Sequence, residues 1–372
     1  MEENKLKFDF AEEVKDQTTG PIIKIMGVGG CGCNIINDMM ELSLDGGELV
    51  AVNTDMQSLS SRNAHEKLQI GKRLTNGQGA GSKPEVGEKA AEEDRELLEN
   101  KLRGTDMLFI AAGLGGGTGS GAAPVIADIA RGLDILTVAV VITPFKGEMQ
   151  KSIKKQIVED SLKKLREKVN NVIVISNDKI REICENLRLS ESYREANKVL
   201  IGIINGIVTM VGKTGMQNID FQDVKTTLRQ RGDAFIGIGR ASGTDRAQKA
   251  LHKALNNPFI GAKELAGAKN VLINFTGDIY TKELDIIEDI QKLAGDNASV
   301  KYGVVEDAGM GEDIEVVVMV SGISGRVEDE SCRDVSNTIN KMSAMARQLV
   351  ESGYDNVDTP AFERYPFDKY PN

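Results

Sequence analysis

The chain has 372 residues, 40% of them apolar and 27% charged, with a formal net charge of −10 at pH 7. That length exceeds one small core and suits two domains, while the acidic balance argues against non-specific nucleic-acid binding, which needs dense Lys and Arg facing phosphates. Only two histidines, His65 and His252, and four cysteines at 31, 33, 184 and 332, none in a CxxC pair, are present. Ser-His-Asp or Cys-His catalysis and a Cys/His metal centre are therefore poorly supplied, and reduced thiols point to a cytosolic compartment. Chemistry must come from carboxylates, amides, backbone dipoles or a bound metal.

In chain order, Met1–Gly20 is charged and reads as a solvated, disordered arm instead of a signal peptide. From Pro21, short apolar runs alternate with helical periods, the pattern of an α/β sheet. Strands are expected at Ile22–Met26, Leu49–Val52, Met107–Ala111, Thr137–Ile142 and Val172–Ile175. Helices are expected at Cys33–Leu44, Glu85–Leu102, Ala122–Arg131 and Lys151–Lys168. A long helix, Glu191–Val211, presents Tyr193, Leu200, Ile203, Ile204, Ile207 and Val211 on one face and breaks at Gly212–Gly215. Beyond it, strands near Phe235–Ile238, Val271–Phe275, Val300–Val305 and Ile314–Val320, with helices near Asp245–Leu255 and Lys282–Leu293, form a smaller mixed domain. Val335, Ile339, Met342, Met345 and Leu349 keep helical spacing in the tail. No unbroken apolar run reaches the roughly 18 to 20 residues that span a bilayer.

The strongest chemical signal is Gly115-Gly116-Gly117-Thr118-Gly119-Ser120-Gly121, between a strand and an Ala-rich helix. Glycines let backbone N–H groups converge on an anion, and the helix N-terminus adds about half a positive charge at the same place. Thr118 and Ser120 add hydroxyl donors. A second cluster, Gly27–Asn34, carries GxGxxG at Gly27, Gly29 and Gly32, with Asp55 about 20 residues on. Taken alone it describes a nicotinamide-dependent oxidoreductase, a reading that leaves Gly115–Gly121 unexplained. The chain contains no GxxxxGK[ST], and Asn177-Asp178-Lys179 is not the base-reading motif of P-loop GTPases.

Gly27–Asn34, Asn53-Thr54-Asp55, Gly79-Ala80-Gly81, Pro84–Gly87, Gly115–Gly121, Val138–Phe145, Asn177–Lys179, Asn218–Val224, Ala241–Gly243 and Asp296–Ala298 follow one another in order. Together they resemble the FtsZ family of tubulin-like GTPases over roughly residues 21 to 325. The resemblance implies an α/β fold of tubulin/FtsZ type: a Rossmann-like GTP-binding domain and a smaller mixed α/β domain joined by a long central helix. It divides the chain into an arm (1–20), a nucleotide-binding domain (21–190), the central helix (191–213), a GTPase-activating domain (214–325), a linker (326–357) and a partner-binding peptide (358–372).

The same resemblance places Gly29, Gly30, Cys31 and Asn34 beside GTP or GDP. Gly115, Gly116, Gly117, Thr118, Gly119, Ser120 and Gly121 would surround the phosphates, and Asn53, Asp55, Gly79, Ala80 and Gly81 would line the terminal phosphate and metal region. Tyr193 matches the base-stacking aromatic and Asn197 the guanine reader, on one helix face by their i, i+4 spacing. Asp220 and Asp223 match the pair that enters the nucleotide pocket of the next subunit, Asn218 and Asp220 nearest the γ-phosphate. As isolated residues, the two aspartates read more simply as helix caps. Mg²⁺ is expected on the phosphates, with K⁺ a further candidate; no protein metal ligand is assigned.

Two stretches depart from the family. Where it reads close to PFxFEGxxR, this chain reads Pro144–Lys151, so either Glu148 supplies the acid or Gln150 and Lys154 take the ribose and phosphate contacts. Cys31 and Cys33 stand where Gly or Ala is common. The tail Asp358–Arg364 resembles the family's adaptor peptide around Pro360–Phe362, but Thr359 and Glu363 replace apolar anchors. The resemblance implies a cytoplasmic division-ring GTPase at mid-cell that polymerises head to tail and meets the membrane only through adaptors. The altered stretches keep open a degenerate member that binds nucleotide as a scaffold without turnover.

Overall fold

The computed structural model describes residues 20–42, 47–150, 153–179, 188–212, 217, 219–229, 235–256, 265 and 267–321. The arm, Asn218, the linker and the C-terminal peptide lie outside these, as do the tail positions with helical spacing.

Six strands, β1 (Ile23–Val28), β2 (Glu48–Asn53), β3 (Glu66–Gln69), β4 (Met107–Gly113), β5 (Leu136–Thr143) and β6 (Asn171–Ser176), form a parallel sheet in the order β3-β2-β1-β4-β5-β6. Parallel strands are covered on both faces and so read as continuous apolar runs. Alternation along each strand sends Ile23, Ile25, Met107 and Phe109 to one face and Met26, Val28, Leu108 and Ile110 to the other. The connections hold helices α1 (Gly29–Glu41), α2 (Met56–Ser60), α3 (Lys72–Thr75), α4 (Pro84–Glu93), α5 (Arg95–Leu102), α6 (Thr118–Gly132), α7 (Lys146–Met149) and α8 (Ile153–Lys168). Apolar residues of α4, α5, α6 and α8 cover one face of the sheet; α1 and a 24-residue central helix, Leu189–Gly212, cover the other.

The second sheet has the order β7-β10-β8-β9, with β7 (Phe235–Ala241), β8 (Asn270–Gly277), β9 (Ser299–Val305) and β10 (Ile314–Ser321). β10 runs antiparallel to both its neighbours, and β8 and β9 are parallel. Helices Arg246–Leu255 and Ile286–Ala294 cover its outer face. From the inner face, Ile236, Leu272, Val317 and Met319 join the cluster that holds Leu200, Ile203, Ile204 and Ile207 of the central helix and Ile25 and Phe109 of the first sheet. The central helix is thus shared by both sheets. Over Tyr193–Gly212 it is long and apolar enough, by length and composition, to span a bilayer. It is not an unbroken apolar run, since Arg194, Glu195 and Lys198 interrupt it, and the core accounts for its apolarity.

Four elements differ from the sequence expectation in ways that bear on the site. β3 was not expected because its residues, Glu-Lys-Leu-Gln, bury only Leu68 at the sheet edge. The helix expected over Glu85–Leu102 divides at Asp94, whose carboxylate accepts the Gly71 N–H at 2.7 Å. Helices α1 and α6 start earlier, inside the glycine clusters, because glycine lets their first turns lie against neighbouring backbone.

Candidate functional site

The strand order reverses between β1 and β4, and ligands of doubly wound sheets bind at the carboxyl ends of the strands there. Both glycine clusters meet at this point. A Cβ on Gly32 would lie 2.3 Å from the Ala111 carbonyl oxygen, and one on Gly27 would lie 2.2 Å from the Gly32 carbonyl oxygen, so these two glycines let α1 sit on the sheet. Gly29, at φ +74, lies where a Cβ would be 2.9 Å from the Gly119 nitrogen, which brings the α1 turn against the first turn of α6.

Within Gly115–Gly121 the residues divide by role. Gly115 takes φ +89, and its N–H donates to Ser120 Oγ at 2.9 Å, so Ser120, which is 2% exposed, braces the loop from inside. The sequence offers Ser120 as a hydroxyl donor; accepting the Gly115 N–H engages its oxygen and leaves its O–H to donate. Gly119 and Gly121 are packing positions, where a Cβ would be 2.4 Å from the Gly113 oxygen and 2.0 Å from the Pro84 oxygen. Gly117 lies against Ala80 and Lys83. Gly116 alone in this run has no heavy atom within 4 Å of a Cβ position, and Gly30 and Gly81 share that openness. These three open positions, with partly exposed Thr118, outline a cradle at the α6 N-terminus. Unsatisfied N–H groups of a helix's first turn are favourable to an anion there.

The β2 terminus closes one side. Buried Asn53 accepts from the N–H groups of Thr54 and Asp55 at 2.9 and 3.4 Å, and Thr54 Oγ1 lies 2.7 Å from Thr118 Oγ1. Asp55 Oδ1 caps α2 by accepting the Ser58 N–H at 2.9 Å, and Asp55 pairs with Gln78 as an isolated bridge beside Gly79. Asn53, Asp55, Gly79, Ala80 and Gly81 therefore converge on the glycine loop. Thr54 and the buried Pro144, against which Gly115 packs, belong to the same wall. Both lay inside motifs quoted from the sequence, but their roles are tertiary contacts that a motif does not reveal.

Past β5 the chain turns at Pro144-Phe145 into α7, where the Lys146 N–H donates to Asp178 Oδ2 at 2.6 Å. Glu148 and Lys154, the alternative ribose contacts, are ion-paired to each other at 2.6 Å on the surface, the Lys154 ammonium holding the Glu148 carboxyl below its ordinary value. Tyr193, 43% exposed, has its ring 6.5 Å from that of Phe145. Asn197 is buried one turn further on and donates Nδ2–H to Asp38 Oδ2 of α1 at 2.6 Å. Asp38, which nothing in the sequence singles out, engages the amide nitrogen and so fixes which end of that amide is the acceptor. Cys31 and Cys33 are not reactive thiols: burial pushes Cys31 up to about 11 and Cys33 up to about 12.

Asp220 and Asp223 are not part of this assembly. Asp220 Oδ1 accepts the Gln222 N–H at 3.1 Å at the head of helix Phe221–Arg229, the capping role, and Asp223 is paired with Lys301 at 2.6 Å. The same helix ends against the amino ends of the strands: the Leu228 carbonyl accepts from Asn171, the first residue of β6, and Arg229 pairs with Asp134, just before β5. The glycine loops lie at the carboxyl ends. The central helix spans about 28 Å from Tyr193, beside Phe145, to Gly212, where the segment leading to the aspartates begins. Nucleotide cradle and aspartate pair thus occupy opposite ends of one chain. Asn218 lies outside the described residues.

A parallel sheet in this order, with an anion cradle at its switch point and no P-loop sequence, defines a Rossmann-type nucleotide-binding protein. The family description "Tubulin/FtsZ family, GTPase domain" matches residues 22–185, and "FtsZ family, C-terminal domain" matches residues 232–324. The chain is 41% identical over 358 residues to the cell division protein FtsZ of Azotobacter vinelandii, covering 95% of this chain and 90% of that protein. It is 40% identical over 326 residues to cell division protein FtsZ 1 of Thermococcus kodakarensis, covering 87% of each. The solved FtsZ dimer of M. jannaschii superposes with a TM-score of 0.77 at 36% identity, covering 84% of this chain and 91% of that one. The chain belongs to the tubulin/FtsZ family, in its FtsZ branch, and is a cell-division GTPase that takes GTP and GDP. The family match takes the place of the nicotinamide reading of Gly27–Gly32.

Proposed function

We propose that this GTPase assembles head to tail and hydrolyses GTP only where the aspartate end of one subunit closes the nucleotide cradle of the next. The observation that carries this reading is the separation just described: the two halves cannot meet within one chain, whereas a heterologous contact between unlike ends brings them together and propagates as a filament. Gly29, Gly30, Cys31 and Asn34 lie beside the nucleotide, Gly115–Gly121 surround its phosphates, and Asn53, Asp55 and Gly79–Gly81 line the terminal phosphate and metal region; Tyr193 stacks on the base, and the Asn197 oxygen accepts from guanine. Glu148, or Lys154 from the same ion pair, lies on the ribose side. Asn218 and Asp220 of the neighbour come closest to the γ-phosphate, where the Asp220 carboxylate polarises the attacking water or holds the cation that does, and Asp223 supports them.

The cradle fits a polyphosphate because its open positions, Gly30, Gly81 and Gly116, leave backbone accessible where any other side chain would intrude. Mg²⁺ would neutralise charge developing on the phosphates. Among the described residues no group of three or more His, Cys, Asp or Glu could cage a metal. The ion would be held mainly by phosphate oxygens and water with Asp55 nearby; K⁺ is a further candidate. Residues 21–190, 191–213 and 214–325 act as nucleotide domain, central helix and activating domain. The peptide 358–372, through Pro360–Phe362, recruits division adaptors across the 326–357 linker, so that the protein works in the cytoplasm at the mid-cell ring.

GTP hydrolysis and sedimentation measured together across protein concentration test the proposal. A shared threshold, with pelleting in GTP and not GDP, is the expected result. Asp220→Ala should keep GTP affinity while turnover falls by orders of magnitude. Turnover proportional to concentration with no threshold would mean that each chain carries a complete site, and GTP binding without turnover or pelleting would identify a nucleotide-binding scaffold.

A further inference from the structure

Strand β9 is the platform on which the aspartate segment is built. Gln217 exchanges both backbone hydrogen bonds with Val304, the Gln217 N–H donating at 3.3 Å and the Val304 N–H at 2.8 Å. Gly303 admits Ile219 so closely that a Cβ there would lie 2.9 Å from the isoleucine side chain. The third attachment is made by a side chain: Lys301, two residues before Gly303 on the same strand, places its ammonium 2.6 Å from Asp223 Oδ1. Asp220 has no comparable partner among the described contacts; its carboxylate serves the helix cap.

The Lys301–Asp223 pair is not there for folding. The two side chains are 52% and 31% exposed, and exposed ion pairs contribute little to stability. The other two attachments already fix the backbone of the segment. What remains is the effect of the pair on the carboxylate. The protein carries a net charge of −10, and the aspartate segment is the part that, on the proposed function, must approach the polyphosphate of another subunit. Two carboxylates facing a triphosphate repel it. An ammonium held on one of them offsets the repulsion and keeps that carboxylate from swinging away.

We propose that Lys301 is a positioning residue for GTP hydrolysis: through Asp223 it sets the orientation and net charge of the aspartate end that enters the neighbouring cradle. This rests on the trans-acting role of the aspartates. Lys301 itself touches neither nucleotide nor the reacting water.

The test uses the full chain, with GTP turnover and pelleting measured for Lys301→Gln, Lys301→Arg, Asp223→Asn and the Lys301→Gln/Asp223→Asn double variant. Lys301→Gln is expected to lower turnover per assembled subunit by roughly ten- to a hundredfold and to raise the assembly threshold, with GTP affinity and melting temperature unchanged. Lys301→Arg should restore most of the turnover, and the double variant should be no worse than Asp223→Asn alone, since both changes remove one device. Full turnover in Lys301→Gln beside a crippled Asp223→Asn would overturn the role of Lys301 and leave the shared site standing. Full turnover in Asp223→Asn would also overturn the role of Lys301, and the shared site would then stand or fall with Asp220→Ala. Equal loss in the Gln and Arg variants with a lowered melting temperature would show a structural contact and overturn the proposal as well.

Discussion

Gly116 and Gly119 look equivalent in the run Gly115–Gly121, yet a Cβ on Gly116 meets no heavy atom within 4 Å and one on Gly119 lies 2.4 Å from a backbone oxygen. Gly119→Ala must push α6 away from the β4 turn, and overpacking of this kind costs about 1–3 kcal/mol, so its melting temperature should fall visibly in a thermal scan. Gly116→Ala should melt like the parent and lose GTP affinity, because the added methyl points into open cradle. Equal melting temperatures for the two variants would show that the α6 turn relaxes freely. The residue types at the site were legible from the sequence, since a glycine run before a helix has few other uses. Their division of labour was not. Whether Ser120 faces the ligand or the Gly115 N–H, and whether Asn197 is held by Asp38, depends on contacts between segments far apart in sequence, which no local pattern encodes.

At the scale of elements, the helix Arg246–Leu255 is fastened by its first residue. Arg246 donates to Glu283 from Nε at 2.7 Å and from Nη2 at 3.2 Å, and to the Glu312 carbonyl at 2.8 Å, with the Asp278 carbonyl also in reach and its guanidinium carbon 5.3 Å from the Tyr280 ring centre. Glu283 accepts the Tyr280 N–H as well, at 2.9 Å. Both charged side chains are buried, so removing one strands the other, which costs about 3–5 kcal/mol. Glu283→Ala should lower the unfolding free energy from denaturant titration by that much at neutral pH. Burial alone would raise the Glu283 carboxyl, but Arg246 and the Tyr280 N–H hold it below its ordinary 4.5. A carboxyl lowered on folding adds stability that is present above about pH 4.5 and fades as the pH falls through the folded value. The gap between the parent and Glu283→Gln should accordingly narrow in acid; a constant gap from pH 7 to pH 3 would assign the stabilisation to packing. The element pattern itself was readable wherever apolar periodicity was strong, as in β4, β5 and the central helix. It failed at β3, whose short polar strand buries one leucine, and at Asp94, where a side-chain contact to Gly71 ends a helix that propensity would continue.

For the whole described body, each sheet has an outer cluster of its own, but the two share the cluster between them. Ile25 and Phe109 of the first sheet, Leu200 and Ile207 of the central helix and Val317 and Met319 of the second sheet belong to one buried cluster. Domain-wise reading of the sequence gives two units, but shared burial predicts that they melt together, because exposing either sheet uncovers the same helix. Calorimetry should show a single transition with matching calorimetric and van't Hoff enthalpies, and Ile207→Ala, at a cost of about 2–5 kcal/mol, should shift it as one peak. Two resolved peaks, only one of them moved by Ile207→Ala, would mean that the sheets unfold separately.

On the proposed head-to-tail assembly, a cradle and aspartates at opposite ends of a parallel sheet also fix a matter of counting and direction. A row of n subunits contains n − 1 completed junctions, so one terminal subunit always holds nucleotide in an uncovered cradle while the other terminus offers aspartates with nothing to act on. Every strand of every first sheet points the same way along such a row, which gives the polymer a chemical polarity. One tip carries replaceable nucleotide and the other is blind to it. A chain with an intact cradle and a blocked aspartate end would then act as a one-sided cap, halting growth at a single tip at concentrations far below that of the polymer.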